Sequence, residues 1–131
     1  MKYFLDSSFI ISYSLEDDVN HERALELAED IFKDDCYILG YVINEVVTVM
    51  GNKSNLNYAK KTYYILVDNF KILPEHENKN FNNDVMYIYS QFNTKLSFTD
   101  CSIIKVMEKN NISNLVSFDK YFDKTDIKRI F

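Results

Sequence analysis

Apolar positions along the chain switch between two spacings, short continuous runs and stripes recurring every three or four residues, the marks of strands and amphipathic helices. Lys2–Leu5 is a short apolar run that reads as a strand, and Asp6-Ser7-Ser8 then offers capping side chains to a helical run over residues 9–15. Residues 20–32 place Ala24, Leu27, Ala28 and Ile31 on one helical face with acids on the other. Residues 36–39 read as a second strand, and Gly40-Tyr41 leads into a helix over residues 42–50 that Gly51-Asn52 is expected to end. The alternation continues with a helix over residues 56–70, a strand at Lys71–Leu73 closed by Pro74, and a helix over residues 82–92. Ser97-Phe98-Thr99-Asp100 has the form of a capping box ahead of the helical run 103–107. Residues 114–118 read as a strand, 119–122 as a short turn and 127–130 as an edge strand.

Strands that alternate with helices imply an α/β fold, because parallel neighbours need helical crossovers. The expectation is one domain over residues 1–131, with three layers, α/β/α, around a mostly parallel central sheet of four or five strands. The pattern leaves the strand order open. Ligands of such sheets bind beyond the carboxyl ends of the strands, where the order reverses. Asp6 and Asp119 each follow an apolar strand and Asp100 opens a helix, so all three can project onto that edge.

Composition narrows the picture. Hydrophobic residues at 47% against charged residues at 27% allow a packed core, and two glycines with one proline leave little material for long loops. No stretch reaches the roughly 18 apolar residues that span a bilayer, and Asp6 interrupts the apolar N-terminal run, so a soluble, unexported, cytoplasmic protein with no membrane partner is expected. Cys36 and Cys101 form no CxxC pair and sit in apolar segments, which suits reduced, buried thiols. His21 and His76 lack ligand spacing. Fifteen basic against twenty acidic residues give a net charge of -5, so the chain as a whole does not attract phosphates.

Four acids, Asp6, Glu45, Asp100 and Asp119, are scattered along the chain and meet only if the fold unites them. United, they repel one another unless a cation neutralises them, and an all-oxygen set suits magnesium or manganese. Such an ion lowers the pKa of a bound water and offsets charge on a phosphodiester under attack, which is nuclease chemistry. Each acid also has a plainer reading. Asp6 and Asp100 can be helix caps, Asp119 can start a turn, and Glu45 can be an ordinary surface residue. The valines and isoleucine around Glu45 point to a largely buried helix, where an unpaired acid is costly.

The segments FLDSSFI, VINEV, LSFTDCSI and LVSFDKYF resemble the PIN domain, and among its members the VapC-type toxins most. The resemblance covers essentially the whole chain. It implies a metal-dependent endoribonuclease of a toxin–antitoxin pair, commonly a homodimer, held inactive by a cognate antitoxin whose segment occupies the groove near the acids. It places the metal-binding and catalytic acids at Asp6, Glu45, Asp100 and Asp119, holding Mg2+ or Mn2+, and puts Ser8 where it positions a water or a carboxylate. Ser97, Thr99 and Ser117 fall on polar positions beside those acids. Cys101 departs from the family's usual alanine while keeping its small size.

Two other functions share these residues. A phosphoacceptor (receiver-like) signalling domain is also a small α/β fold with acids and magnesium at the strand ends, though it resembles a pattern of adjacent acids where this chain has Asp6-Ser7. A catalytically inactive PIN-type interaction module is the other. The aromatic residues Tyr58, Tyr63, Tyr64 and Phe70 exceed what one core-facing stripe needs and suggest a dimer or partner surface. The basic residues Lys53, Lys60, Lys61, Lys120, Lys124, Lys128 and Arg129 are either solvated or RNA contacts.

Overall fold

Five short strands form an all-parallel sheet in the order β3-β2-β1-β4-β5 in the computed structural model, which describes residues 1–74, 79–92 and 95–131. β1 (Lys2–Leu5) lies at the centre, flanked by β2 (Asp35–Leu39) and β4 (Asn114–Val116), with β3 (Lys71–Leu73) and β5 (Lys128–Ile130) at the edges. Tyr3 registers with Cys36 on one side and Asn114 on the other. Phe4, Leu5, Ile38, Leu39, Leu115 and Val116 are all fully buried, as strands covered on both faces must be.

The helices follow from crossover handedness. The chain steps from β1 to β2 to β3 in one direction, through α1 (Ser7–Ser14), α2 (His21–Ile31), α3 (Gly40–Lys53) and α4 (Leu56–Asn69). It then returns past β1 to β4 through α5 (Lys79–Gln91) and α6 (Phe98–Lys109). Right-handed crossovers travelling in opposite directions place their helices on opposite faces, which yields the three layers. The packing agrees, since α1 packs on α2 and α3, α3 on α4, and α5 on α6.

Local chemistry sets several boundaries. α6 ends in a Schellman motif: Ile112 N–H donates to the Met107 carbonyl at 3.0 Å and Asn111 N–H to that of Glu108 at 3.3 Å. Asn111 takes the left-handed conformation at φ 55°, which asparagine tolerates better than most residues. α3 runs past Gly51-Asn52 to Lys53, contrary to the expected stop, because no glycine there adopts a positive φ and Gly51 continues the helix beside Ala59. The fourth strand ends at Val116 rather than at residue 118, since Ser117 and Phe118 turn away to serve the sheet edge.

Cys36 and Cys101 are free and buried. Among the described residues no helix is long and apolar enough to cross a membrane. The aromatic face on α4 is smaller than expected. Tyr58 turns inward and donates its hydroxyl to the Ser14 carbonyl, and Phe70 packs on Phe32, leaving Tyr63 and Tyr64 exposed.

Candidate active site

The sheet order reverses between β1 and β4, and the carboxyl ends of those two strands build the site. Asp6 N–H donates to the Val116 carbonyl at 3.0 Å, which extends the β1–β4 ladder by one residue and holds Asp6 at the edge. Asp6 occupies the N-cap position of α1, yet its side chain makes no capping bond. Its Oδ2 instead accepts from Ser8 Oγ at 2.9 Å and Ser117 Oγ at 2.7 Å. Ser8 Oγ accepts from Phe118 N–H and Ser117 Oγ from Asp119 N–H, both at 3.0 Å. A hydroxyl has one proton, so with both protons directed at Asp6 the 3.2 Å contact between the two serines is an approach of acceptors.

Asp100 and Asp119 are placed by local turns. Ser97 caps α6 as expected: Asp100 N–H donates to Ser97 Oγ at 3.0 Å and Ser97 N–H donates to Asp100 Oδ2 at 2.9 Å. Asp119 Oδ1 accepts from Tyr121 N–H at 2.9 Å and starts a single 3-10 turn, Lys120–Lys124. Glu45 stands on the exposed side of α3, while Val42, Val46 and Met50 turn into the core. The expectation of a buried glutamate is therefore wrong, because the apolar residues beside it point elsewhere on the helix.

All four acids line one cleft of about 790 Å³, together with Ser7, Ser8, Ser97, Thr99 and, on α3, Tyr41, Asn44 and Thr48. Tyr41, Glu45 and Thr48 share one face of α3 at helical spacing, a signal present in the sequence once Glu45 is singled out. Ser117 lies beneath the cleft and reaches it through Asp6. Among the described residues lining this cleft none is basic. His21 sits elsewhere, with Nδ1 2.8 Å from the Ser12 carbonyl oxygen, and His76 lies outside the described residues.

The acids sense one another. Burial pushes the Asp6 carboxyl up to about 6 against the lowering effect of its two serine hydrogen bonds, and the charges of Asp100 and Glu45 add to the rise. Burial also raises Asp100 against the pull of the Ser97 hydrogen bonds, with Asp119 and Glu45 adding to it. Burial pushes the Cys101 thiol up to about 11, so it stays protonated and is a poor ligand at neutral pH.

Among the described residues no three acidic, histidine or cysteine side chains stand close enough together to hold one ion. Asp6, Asp100 and Asp119 instead accept hydrogen bonds from nearby donors. The donor set nonetheless fits a hard divalent cation. It is all oxygen, it lacks a cationic partner in the cleft, and it includes a carboxylate, Asp6, only 4% exposed and raised by desolvation.

Residues 3–128 match a family model described as PIN domain. No curated protein matches the chain. Among solved structures, VapC20 of Mycobacterium tuberculosis, a sarcin–ricin loop cleaving toxin, shares the fold with a TM-score of 0.79 at 18% identity, over 92% of this chain and 92% of that one. VapBC2 of Rickettsia felis, solved bound to a DNA fragment from its promoter, has a TM-score of 0.72 at 14% identity, over 99% and 98%. FitAcB of Neisseria gonorrhoeae has a TM-score of 0.72 at 18% identity, over 98% and 96%. At these identities the likeness is one of fold.

Proposed function

Since the chain belongs to the PIN domain family, we propose that it is a Mg2+- or Mn2+-dependent endoribonuclease, the toxin of a toxin–antitoxin pair acting in the cytoplasm. The observation that carries this reading is the shared cleft of Asp6, Glu45, Asp100 and Asp119 at the β1/β4 switch point, four carboxylates with no basic side chain among the described residues that line it. Asp6, Asp100, Asp119 and Glu45 would hold the ion, which when bound supplies a water of lowered pKa and neutralises charge on the phosphodiester.

The chain's own residues do the positioning. Ser8 and Ser117 fix Oδ2 of Asp6 and leave Oδ1 outside that clamp. The α6 capping box fixes Asp100, and the turn after β4 fixes Asp119. Asn44, Thr48 and Thr99 give the cleft neutral hydrogen-bonding groups for the sugar and base of a bound strand. Glu45, on an exposed helix face, is the one of the four acids least tied by hydrogen bonds among the described residues and would complete the set by a side-chain rotation toward the ion.

The VapC-like fold supports a cognate antitoxin whose segment occupies the groove beside the acids. Tyr63, Tyr64 and Ile65 on α4 and Met86 and Tyr87 on α5 are exposed and offer apolar area for a homodimer. The phosphoacceptor reading belongs to a different family and has no such support; an inactive PIN module remains the outcome if metal fails to bind.

Manganese titration with thermal melting, followed by cleavage of single-stranded RNA, tests the assignment in wild type and Asp6→Ala. Metal bound only to the native state raises its melting temperature, by about 2.7 kcal/mol of stability at a hundredfold excess over Kd. Asp6→Ala is expected to lose that shift and about 100-fold or more in cleavage rate. Cleavage retained in Asp6→Ala would end the assignment.

A further inference from the structure

Arg129 on β5 has a side chain only 7% exposed. A buried guanidinium is tolerated when its donors are satisfied, and the partners here are specific. Nε and Nη2 donate to Asp123 Oδ1 and Oδ2 at 2.7 and 2.8 Å, while Nη1 donates to the Ser117 carbonyl at 3.2 Å. The guanidinium carbon lies 3.7 Å from the centre of the Phe131 ring. Ser117 is held on its other side too, its N–H donating to the Ile130 carbonyl at 3.1 Å. β5 therefore grips the Ser117 peptide from both directions, and the Ser117 hydroxyl passes that constraint to Asp6 Oδ2 and to the Asp119 N–H.

We propose that Arg129 is a positioning residue that sets the placement of Asp6 through Ser117. It touches neither acid; its route to Asp6 runs through the Ser117 peptide and hydroxyl, whereas its pairing with Asp123, in the turn that Asp119 starts, is a separate route to Asp119. The consequence is large in principle, because displacing a reacting group by about 1 Å costs on the order of 100-fold in rate. The inference rests on the nuclease reading above, and it assigns a role to a residue lying beyond all four acids in sequence. A simple staple for the edge strand is the competing role, and it makes a different prediction. A staple lowers stability wherever it is cut, whereas a positioning residue loses its effect on Asp6 once Ser117 has no hydroxyl to transmit it.

The test is a double-mutant cycle over wild type, Arg129→Gln, Ser117→Ala and the double variant, at a temperature well below the lowest melting point. It reads Mn2+ affinity by calorimetry, kcat and KM on single-stranded RNA, and the Asp6 side-chain carboxyl 13C resonance. Arg129→Gln is expected to lower Mn2+ affinity and kcat by about tenfold or more with little change in KM, and to move the Asp6 resonance. In the Ser117→Ala background the same change is expected to leave the Asp6 resonance unmoved and to cost several-fold less in both quantities, the remainder passing through Asp123 to Asp119. Equal losses in both backgrounds, or an unmoved Asp6 resonance, overturn the inference. If Arg129→Gln fails to fold, Asp123→Asn removes the carboxylate that aims the guanidinium and runs through the same cycle. Should wild type neither bind Mn2+ nor cleave RNA, the nuclease reading fails and the Asp6 resonance alone decides this one.

Discussion

Asp6 is placed where a helix cap belongs and does not cap. Its carboxylate turns to two serines instead, and the cost of burying it shows in a pKa pushed up to about 6 from 3.8. The folded value lies above the ordinary one, so the fold binds this proton more tightly than the unfolded chain does. The stabilising contribution is present below about pH 4 and is lost as pH rises through about 6, reaching about 3 kcal/mol at most. In the metal-free protein, Asp6→Asn is therefore expected to melt higher than wild type at pH 7.5 and to flatten the fall in stability between pH 4 and pH 6.5, while abolishing cleavage. Urea unfolding of both proteins across that range checks it, and equal stabilities at pH 7.5 would mean that the buried charge is not what strains the site. Asp100 and Asp119 behave differently. Both keep the local capping roles that their sequence neighbours suggest, and both line the cleft as well, so for these residues the plain and the chemical readings are compatible. Glu45 was legible only as part of the set, since the argument from its apolar neighbours fails once the helix turns them inward.

At the scale of elements, the sequence showed where helices and strands occur better than where they stop. α3 is the instructive case. Gly51-Asn52 looks like a terminator, but termination by glycine depends on a left-handed conformation, and here the backbone stays helical. A Cβ at Gly51 would lie 3.7 Å from the Ala59 Cβ, an ordinary contact between α3 and α4. Gly51→Ala should therefore stabilise the protein by about 0.5–1 kcal/mol, measured as a shift in the urea midpoint. Destabilisation would show that α3 needs a flexible end. The start of α6 was legible because its signal is local: Ser97 and Asp100 satisfy each other's N–H groups within one turn. Ser97→Ala is expected to cost about 1 kcal/mol and, by freeing Asp100, to weaken Mn2+ binding. Calorimetry showing unchanged Mn2+ affinity would separate the cap from the site. The strand order was illegible for the opposite reason. Short, largely apolar strands of three to five residues look alike in sequence, and which lies beside which is decided by the packing of the whole sheet.

For the whole molecule the difficulty that the proposed nuclease function raises is charge, because on that reading a chain of net charge -5 with an acidic cleft has to hold a polyanion. A bound metal would answer this only at the reacting phosphate, and the flanking phosphates would need cations of their own. Several basic residues are committed to other groups: Lys71 pairs with Asp35, Lys105 with Asp84, and Arg129 with Asp123. Lys53 and Lys61 instead line a second cavity of about 510 Å³ with Ser14 and Asn55. Residues of α1 and α3 line both cavities, Ile11 and Thr48 the first and Ser14 and Lys53 the second, so on the proposed function an RNA strand that follows these two helices away from the acids would meet these lysines. Glu16 and Asp17 share the rim and limit the attraction. Replacing both lysines with alanine is expected to raise KM for RNA, leave Mn2+ affinity unchanged, and reduce the salt dependence of binding by about 1.4 in log K per log salt, the release expected from two contacts to a single strand. Glu16→Gln with Asp17→Asn should tighten binding in the opposite sense. A salt slope identical in wild type and the double-lysine variant would place the path of the strand on another face of the molecule.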